Sequence, residues 1–281
     1  MMTLATLRPI VDRWLPRLAS AYRTIRDARR PSLDFLQTPY GFRFAGNDAI
    51  AKGDFEREEI ATVVGLLGKA TVFVDVGANV GFYSCLAASL GKRVLAFEPL
   101  AANLAVLYEN LLANGFDSVE VFPIGLSDVP GLKPMFGGGT GASFLPGWAN
   151  APTSYRRTVP TSTLDLFVSD RFRQQEVLLK VDVEGWESAL LRGATRTLAM
   201  VPQPTWFVEI GLSQHFPTGR NSAFRETFEV FFQHGYRATT ALEDRRPITR
   251  EDVERWVASG RVDFGNHNYV FTPGNEGDVT L

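Results

Sequence analysis

Lys180, Asp182 and Glu184 alternate along Leu178-Leu-Lys-Val-Asp-Val-Glu-Gly185, inside an otherwise apolar run. Alternate residues of a strand share a face, so three charges are expected on one side of a buried strand, with Val181 and Val183 on the other. Buried charge is costly unless it is paired or used. The carboxyl end of an α/β strand is where such sheets bind ligands, which gives these side chains a use. A second acid, Glu209, closes Trp206-Phe-Val-Glu-Ile-Gly211, and His215 follows it. If the two strands are neighbours, Asp182, Glu184, Glu209 and His215 surround one crevice. Any of the four could take a proton from a hydroxyl, with Glu184 or His215 ahead of Asp182 as the base. Asp182 and Glu209 are also candidates for binding a divalent cation through oxygen. The bland alternative is a Lys180 ion pair with one acid and a helix cap from the other.

A second cluster lies in Thr71-Val-Phe-Val-Asp75-Val-Gly77-Ala78-Asn79-Val-Gly81-Phe82-Tyr83, an apolar strand that ends in an acid and breaks into a glycine turn before a helix. Gly77 and Gly81 can adopt positive φ or permit close approach, and Asn79 tolerates the left-handed region better than most residues. Backbone N–H groups are therefore expected to point outward. The dinucleotide fingerprint G-x-G-x-x-G fails, because Asn79 and Phe82 stand where its second and third glycines belong. The pattern D/E-x-G-x-(G/N)-x-G fits at every position. Its acid, Asp75, would take the ammonium of an amino-acid-bearing cofactor, which points to S-adenosylmethionine and away from NAD. The next apolar run, Arg93-Val-Leu-Ala-Phe-Glu98-Pro99, ends in a carboxylate about 20 residues after the glycines, the spacing at which an acid meets ribose hydroxyls. Glu98 is the ribose candidate, and equally a carboxylate favoured at a helix N-terminus. Ser127 and Asp128, after Val119-Glu-Val-Phe-Pro-Ile-Gly-Leu, are candidates for the adenine edge, though a plain turn uses such a pair without a ligand.

Alternating strands and helices must position these residues. Strands are expected over 71–76, 93–97, 119–124, 177–183, 205–210, 236–240 and 268–272. Helices are expected over 54–68 with Asp54 as cap, 80–90, 101–113, 186–199, 222–234 and after Thr249. That alternation predicts an α/β fold with a mainly parallel sheet covered on both faces. Residues 130–163, rich in Gly and Pro, read as one long irregular loop. Ser143, Trp148, Tyr155, Arg156 and Arg157 could line an acceptor pocket there. The 281 residues are 45% hydrophobic and 21% charged, a globular composition, and the single Cys85 excludes an internal disulfide framework or a cysteine zinc cluster. A net charge of −2 offers no general attraction to nucleic acid.

The charge is unevenly spread. Residues 1–31 hold seven arginines against two aspartates, a net +5, which leaves −7 for the rest of the −2 total. Leu7, Ile10, Val11, Trp14, Leu15, Leu18, Tyr22 and Ile25 recur at helical spacing, so a basic amphipathic helix is expected. Pro9 and Pro16 weaken it. Its two readings are contact with an anionic membrane surface and packing on the domain or a dimer partner. No apolar run reaches the ~20 residues of a membrane span, and a secretory signal pattern is missing, so a cytoplasmic protein, at most peripheral to a membrane, is expected.

Taken in order, these segments resemble the FkbM-type methyltransferases of the class I S-adenosylmethionine-dependent superfamily. The resemblance runs through Val74 to Ser84, Phe97-Glu98-Pro99 with Asn103 and Asn110, Leu126-Ser127-Asp128, Thr163-Leu-Asp165, Leu179 to Gly185, Val208-Glu209-Ile and Asn268-Tyr-Val-Phe, and covers roughly residues 40–273. It implies a Rossmann-like seven-stranded sheet within a domain of residues 32–281, core 54–273. It also implies methyl transfer to a hydroxyl, often of a sugar, glycolipid or natural product, with S-adenosylhomocysteine as by-product. The Asp182 strand end is similar to that of metal-dependent sugar O-methyltransferases, with Glu184 in place of a second Asp. Two rivals remain open: an NAD(P) oxidoreductase on the same fold, and a noncatalytic cofactor-binding module.

Overall fold

The computed structural model describes residues 18, 22, 33–53, 56–265 and 267–274. The expected amphipathic helix of residues 1–31 lies outside them except for Leu18 and Tyr22, both helical and exposed. The expected cap Asp54 also lies outside.

The described chain runs β1 (Leu36–Gln37), β2 (Arg43–Phe44), α1 (Asp48–Ala51), α2 (Arg57–Leu67), β3 (Val72–Val76), α3 (Phe82–Ser89), β4 (Arg93–Phe97), α4 (Ala101–Leu112), β5 (Glu120–Phe122), β6 (Gly125–Leu126) and β7 (Gly131–Phe136). It continues through β8 (Arg156–Ser162), β9 (Val177–Val181), α5 (Glu187–Arg192), α6 (Thr195–Leu198), β10 (Thr205–Glu209), α7 (Phe224–Gln233), β11 (Tyr236–Thr240), β12 (Pro247–Ile248), α8 (Arg250–Ser259) and β13 (Asn268–Pro273). The eight-stranded central sheet has the order β12-β11-β13-β10-β9-β3-β4-β5. All seven expected strands are in it, and β12 adds a two-residue edge strand. Strands β10, β9, β3, β4 and β5 pair in parallel, and β13 is antiparallel to both of its neighbours. From β3 the chain proceeds outward to β4 and β5, then returns to β9 on the other side. The β3/β9 junction is thus the topological switch point, where a sheet of this kind opens a crevice.

Strand alternation divides the core into two layers. Val72, Val74, Val76, Leu179 and Val181 join one cluster, which also holds Leu190, Phe228 and Trp256 from the helices on that face. Phe73, Leu178, Phe207 and Val270 join the other, with residues of α2, α3 and α4. Asp75, Lys180, Glu209 and Asn268 share the parity of the second set, so the sheet delivers four polar side chains to one face. Phe42 and Phe44 are buried in this second cluster, so the core begins before residue 54. Cys85 is buried there too, as expected of a small hydrophobe, and burial pushes its thiol up to about 12. The expected helix 186–199 is split at Gly193, where a Cβ would meet the Ser127 carbonyl oxygen at 2.1 Å.

The expected irregular loop 130–163 is corrected. Its ends are the strands β7 and β8, which with β6 form a separate three-stranded sheet in the order β6-β8-β7. Pro134 and Pro160 hid these strands, since proline removes a ladder donor; here Pro134 lies on the edge strand β7, opposite Thr158, and Pro160 opposes Leu132. Residues 137–155, between the two strands, carry two short 3₁₀ turns and lie over the switch point. Among the described residues, no helix is long and apolar enough to cross a membrane.

Candidate functional site

The glycine turn after β3 is forced by contact. Gly77 has φ of +81°, and a Cβ there would lie 1.9 Å from the carbonyl oxygen of Asp182. Any other residue would push β3 and β9 apart, so the turn and the charged strand end are one construction. Asn79 adopts φ of 53° and Gly81, the residue before α3, φ of 87°. The turn's N–H groups do not point outward as expected. Gly77 and Ala78 both donate to Phe97 O at 3.0 Å, and Asn79 donates to Glu98 Oε2 at 3.0 Å. The cofactor side is therefore presented by side chains and carbonyls.

Glu98 closes that side. Its Oε1 accepts from Leu100 N at 2.8 Å and from Asn103 Nδ2 at 3.2 Å. Three donors leave room on a carboxylate with about four lone-pair sites, enough for a further hydroxyl. Burial outweighs these donors and pushes its pKa up to about 7. The crevice wall combines Gly77, Asn79, Glu98 and Pro99 with apolar Phe97, Ile124 and Leu126, and it reaches Asp182 and Glu184. Asn79 Oδ1 is buried with no protein partner. An unpaired acceptor, a carboxylate with a free site and an apolar wall fit a nucleoside.

Several expected cofactor residues lie off this wall. Asp75 is buried beneath it: Oδ2 accepts from Ser84 Oγ at 2.6 Å, Oδ1 has no hydrogen-bond partner, and Lys180 stands opposite it in the ladder. Ala78 and Phe82 belong to the second core cluster, and Phe82 packs edge-on against Phe44. Ser127 is fully buried, donating to Asp128 Oδ1 at 2.8 Å and accepting from Trp186 Nε1 at 3.1 Å, while Asp128 pairs with Lys133. The pair is a satisfied turn, and the adjoining Gly125 and Leu126 line the crevice instead. Tyr83 faces the charged strand end, with its ring 4.7 Å from Lys180 Nζ and its hydroxyl donating to Glu56 Oε2 at 3.3 Å.

On the other side of Gly77, acids crowd around one ammonium. Lys180 Nζ lies 3.1 Å from Asp182 Oδ2 and is almost fully buried. Burial opposes its charge, but Asp182 and Asp75 outweigh burial and hold its pKa above the ordinary value. Glu209 is raised to about 9 by Asp182 and by burial, and Glu184 to about 8 by burial and by Asp182. Glu59, bonded to Asn268 at 2.6 Å, is raised to about 7 by burial and by Glu56. The expectation of three charges along one strand face is amended. β9 ends at Val181, Asp182 still donates its N–H to Val76 O, and Glu184 sits in the turn beyond with φ of 54°.

Glu184 is held by residues far away in sequence. Trp148 Nε1 donates to its Oε2 at 2.8 Å, and Ser143 Oγ donates to its backbone oxygen at 2.6 Å. His215 is exposed, with its ring tilted 5.6 Å from that of Trp148; it neighbours Glu184 through the indole. Among the described residues, no group of three or more His, Cys, Asp or Glu is placed to hold a metal ion. For Asp182 and Glu209, the metal candidates, Lys180 supplies the countercharge. Sequence reasoning missed Glu56 and Glu59, whose signal is only that of first-turn helix acids. It weighed Trp148 as a pocket wall, not as a partner of Glu184.

Residues 75–238, more than half of the chain, match the family described as the methyltransferase FkbM domain. Among curated proteins, none matches this sequence. Of solved structures, a methyltransferase FkbM from Methylobacillus flagellatus is 18% identical, with a TM-score of 0.45, over 73% of this chain and 44% of that one. This chain thus spans less than half of that protein. A precorrin-6y C5,15-methyltransferase from Geobacter metallireducens is 14% identical, with a TM-score of 0.43, over 84% and 97%. A ribosomal protein L11 methylase from Lactobacillus delbrueckii is 10% identical, with a TM-score of 0.42, over 88% and 91%.

Proposed function

Since the chain belongs to the FkbM methyltransferase family, we propose that it transfers a methyl group from S-adenosylmethionine to a hydroxyl of a small, sugar-like acceptor. The observation that carries this reading is the meeting of Gly77 with Asp182. It sets the nucleoside-fitting wall of Asn79 and Glu98 beside a carboxylate pair at one switch point. When bound, S-adenosylmethionine supplies an electrophilic methyl group and leaves as S-adenosylhomocysteine. Asn79 and Glu98 are the residues that would hold it.

The protein's own task is to orient a hydroxyl and remove its proton. A hydroxyl is a weak nucleophile at neutral pH, and a base is most effective when its pKa lies near the working pH. Glu184 meets this condition, with its pKa raised to about 8. Its Oε1 accepts no hydrogen bond from any described group, so it can receive the proton. Asp182, fixed by Lys180, accepts a hydrogen bond from the same or a neighbouring hydroxyl. Placing the reacting groups within one crevice supplies the orientation that a direct displacement needs.

The experiment is incubation with methyl-labelled S-adenosylmethionine and a panel of free sugars, glycolipids and hydroxylated natural products. Label in an ether-linked methyl of one acceptor class is the expected result. Label in nitrogen or carbon, or none with any acceptor while cofactor binds, rejects the hydroxyl reading.

A further inference from the structure

Glu184 is an awkward residue to keep in place. A non-glycine side chain in the left-handed region is strained, and its carboxylate is surrounded by like charge. Asp182 stands before it just past the end of β9, Glu187 follows in α5, Glu209 approaches from β10, and among the described residues Lys180 is the cation that offsets them. His215 stands beyond the Trp148 ring.

The segment between β7 and β8 answers both problems. Ser143 grips the Glu184 backbone oxygen at 2.6 Å and Trp148 grips Oε2 at 2.8 Å, across 41 and 36 residues of sequence. The indole is itself clamped. Gly185 has φ of +88°, and a Cβ there would stand 2.6 Å from the Trp148 ring, while Phe216 meets the ring edge-on at 4.7 Å. An indole N–H can donate but never accept, so it favours the ionised carboxylate over a protonated Oε2.

We propose that Trp148 is a positioning residue for Glu184. Its N–H occupies Oε2 and favours the ionised form, so that Oε1 alone is left to take the proton of an acceptor hydroxyl. This inference rests on the reading of Glu184 as base, yet the contact can be tested with no acceptor present. In a ¹⁵N–¹H titration of the wild-type protein, the Trp148 indole resonance, assigned by through-bond connectivity in the wild type, is expected to move with pH in one step. That step vanishes in Glu184→Gln. In Trp148→Phe, ¹³C-carboxyl glutamate spectra are expected to show the Glu184 midpoint raised by roughly one pH unit, the size of a lost hydrogen bond to a charged group. An indole resonance indifferent to pH, or one that titrates unchanged in Glu184→Gln, overturns the proposal, and neither result needs Trp148→Phe to fold well. With a methylated acceptor in hand, the pH–rate profile of Trp148→Phe is expected to shift upward by the same amount. A shifted carboxyl midpoint with an unshifted rate profile overturns the base assignment while the hydrogen bond stands.

Discussion

The two halves of the crevice are built on opposite principles. On the cofactor side, the chain's own backbone satisfies the charge: Glu98 takes hydrogen bonds from the N–H groups of Asn79 and Leu100, and the turn donates to the neighbouring strand. On the other side, Glu59, Asp182, Glu184 and Glu209 crowd around Lys180, and distant side chains hold Glu59 and Glu184. The first half is held by local hydrogen bonds, and it is chiefly burial that raises Glu98 to about 7. The second combines burial with repulsion from Asp182 and its neighbours, which together raise carboxyl pKa values into the range where they can exchange protons.

Gly77 joins the halves, so its replacement is the largest expected effect. Gly77→Ala forces a Cβ into the Asp182 carbonyl at a positive φ, and a loss of roughly 3 kcal/mol or more in stability is expected. Thermal melting by circular dichroism measures it. A melt like that of the wild type would show that β3 and β9 can part without cost.

Next in size is Glu184→Gln. Removing a positioned base is expected to lower the transfer rate by about 10²–10⁴-fold, with little change in melting temperature, as followed with labelled cofactor. The wild-type rate is expected to rise as pH climbs through about 8 and Glu184 loses its proton.

Stability should move the other way. Glu98 at about 7, Glu184 at about 8 and Glu209 at about 9 all hold protons more tightly than an ordinary carboxylate at 4.5. The folded protein thus binds more protons than the unfolded chain. The stabilisation from this uptake is full below pH 4.5 and is lost as pH rises through 7 to 9. Melting temperature should fall from pH 6 to pH 9.5, and Glu209→Gln should flatten the upper part of that fall. A flat wild-type profile would remove the contrast between the two halves. The ionisation of Glu184 that frees the base also weakens the fold, as does that of Glu98 on the cofactor side.

The smallest effect is expected for His215→Ala. The imidazole is exposed and reaches Glu184 only through the Trp148 ring, so the transfer rate should drop by less than ~10-fold, well below the loss of a positioned base. A larger drop would make His215 the base and return Glu184 to a structural role.

The contrast also explains what the sequence disclosed. Asp75 to Gly81 and Glu98 are legible because their geometry is local: positive φ, strand ends and a fixed spacing write themselves into a short motif. The seven main strands are legible from their apolar runs. Nothing local announces that Trp148 will meet Glu184, or that Glu59 will meet Asn268 across 209 residues. β7 and β8 were hidden by prolines that their pairing tolerates. Motif matching offered Asp75, Ser127 and Asp128 as cofactor contacts but did not disclose their protein partners, Ser84 for Asp75, Trp186 for Ser127 and Lys133 for Asp128.

Isothermal titration of S-adenosylhomocysteine into wild-type, Glu98→Gln and Glu184→Gln protein tests the division most directly. The expected result is one site in the wild type, affinity lowered about tenfold by Glu98→Gln, the scale of one hydrogen bond to a charged group, and no change with Glu184→Gln. No binding to the wild type, or an equal loss in both variants, would contradict a crevice divided between donor and acceptor.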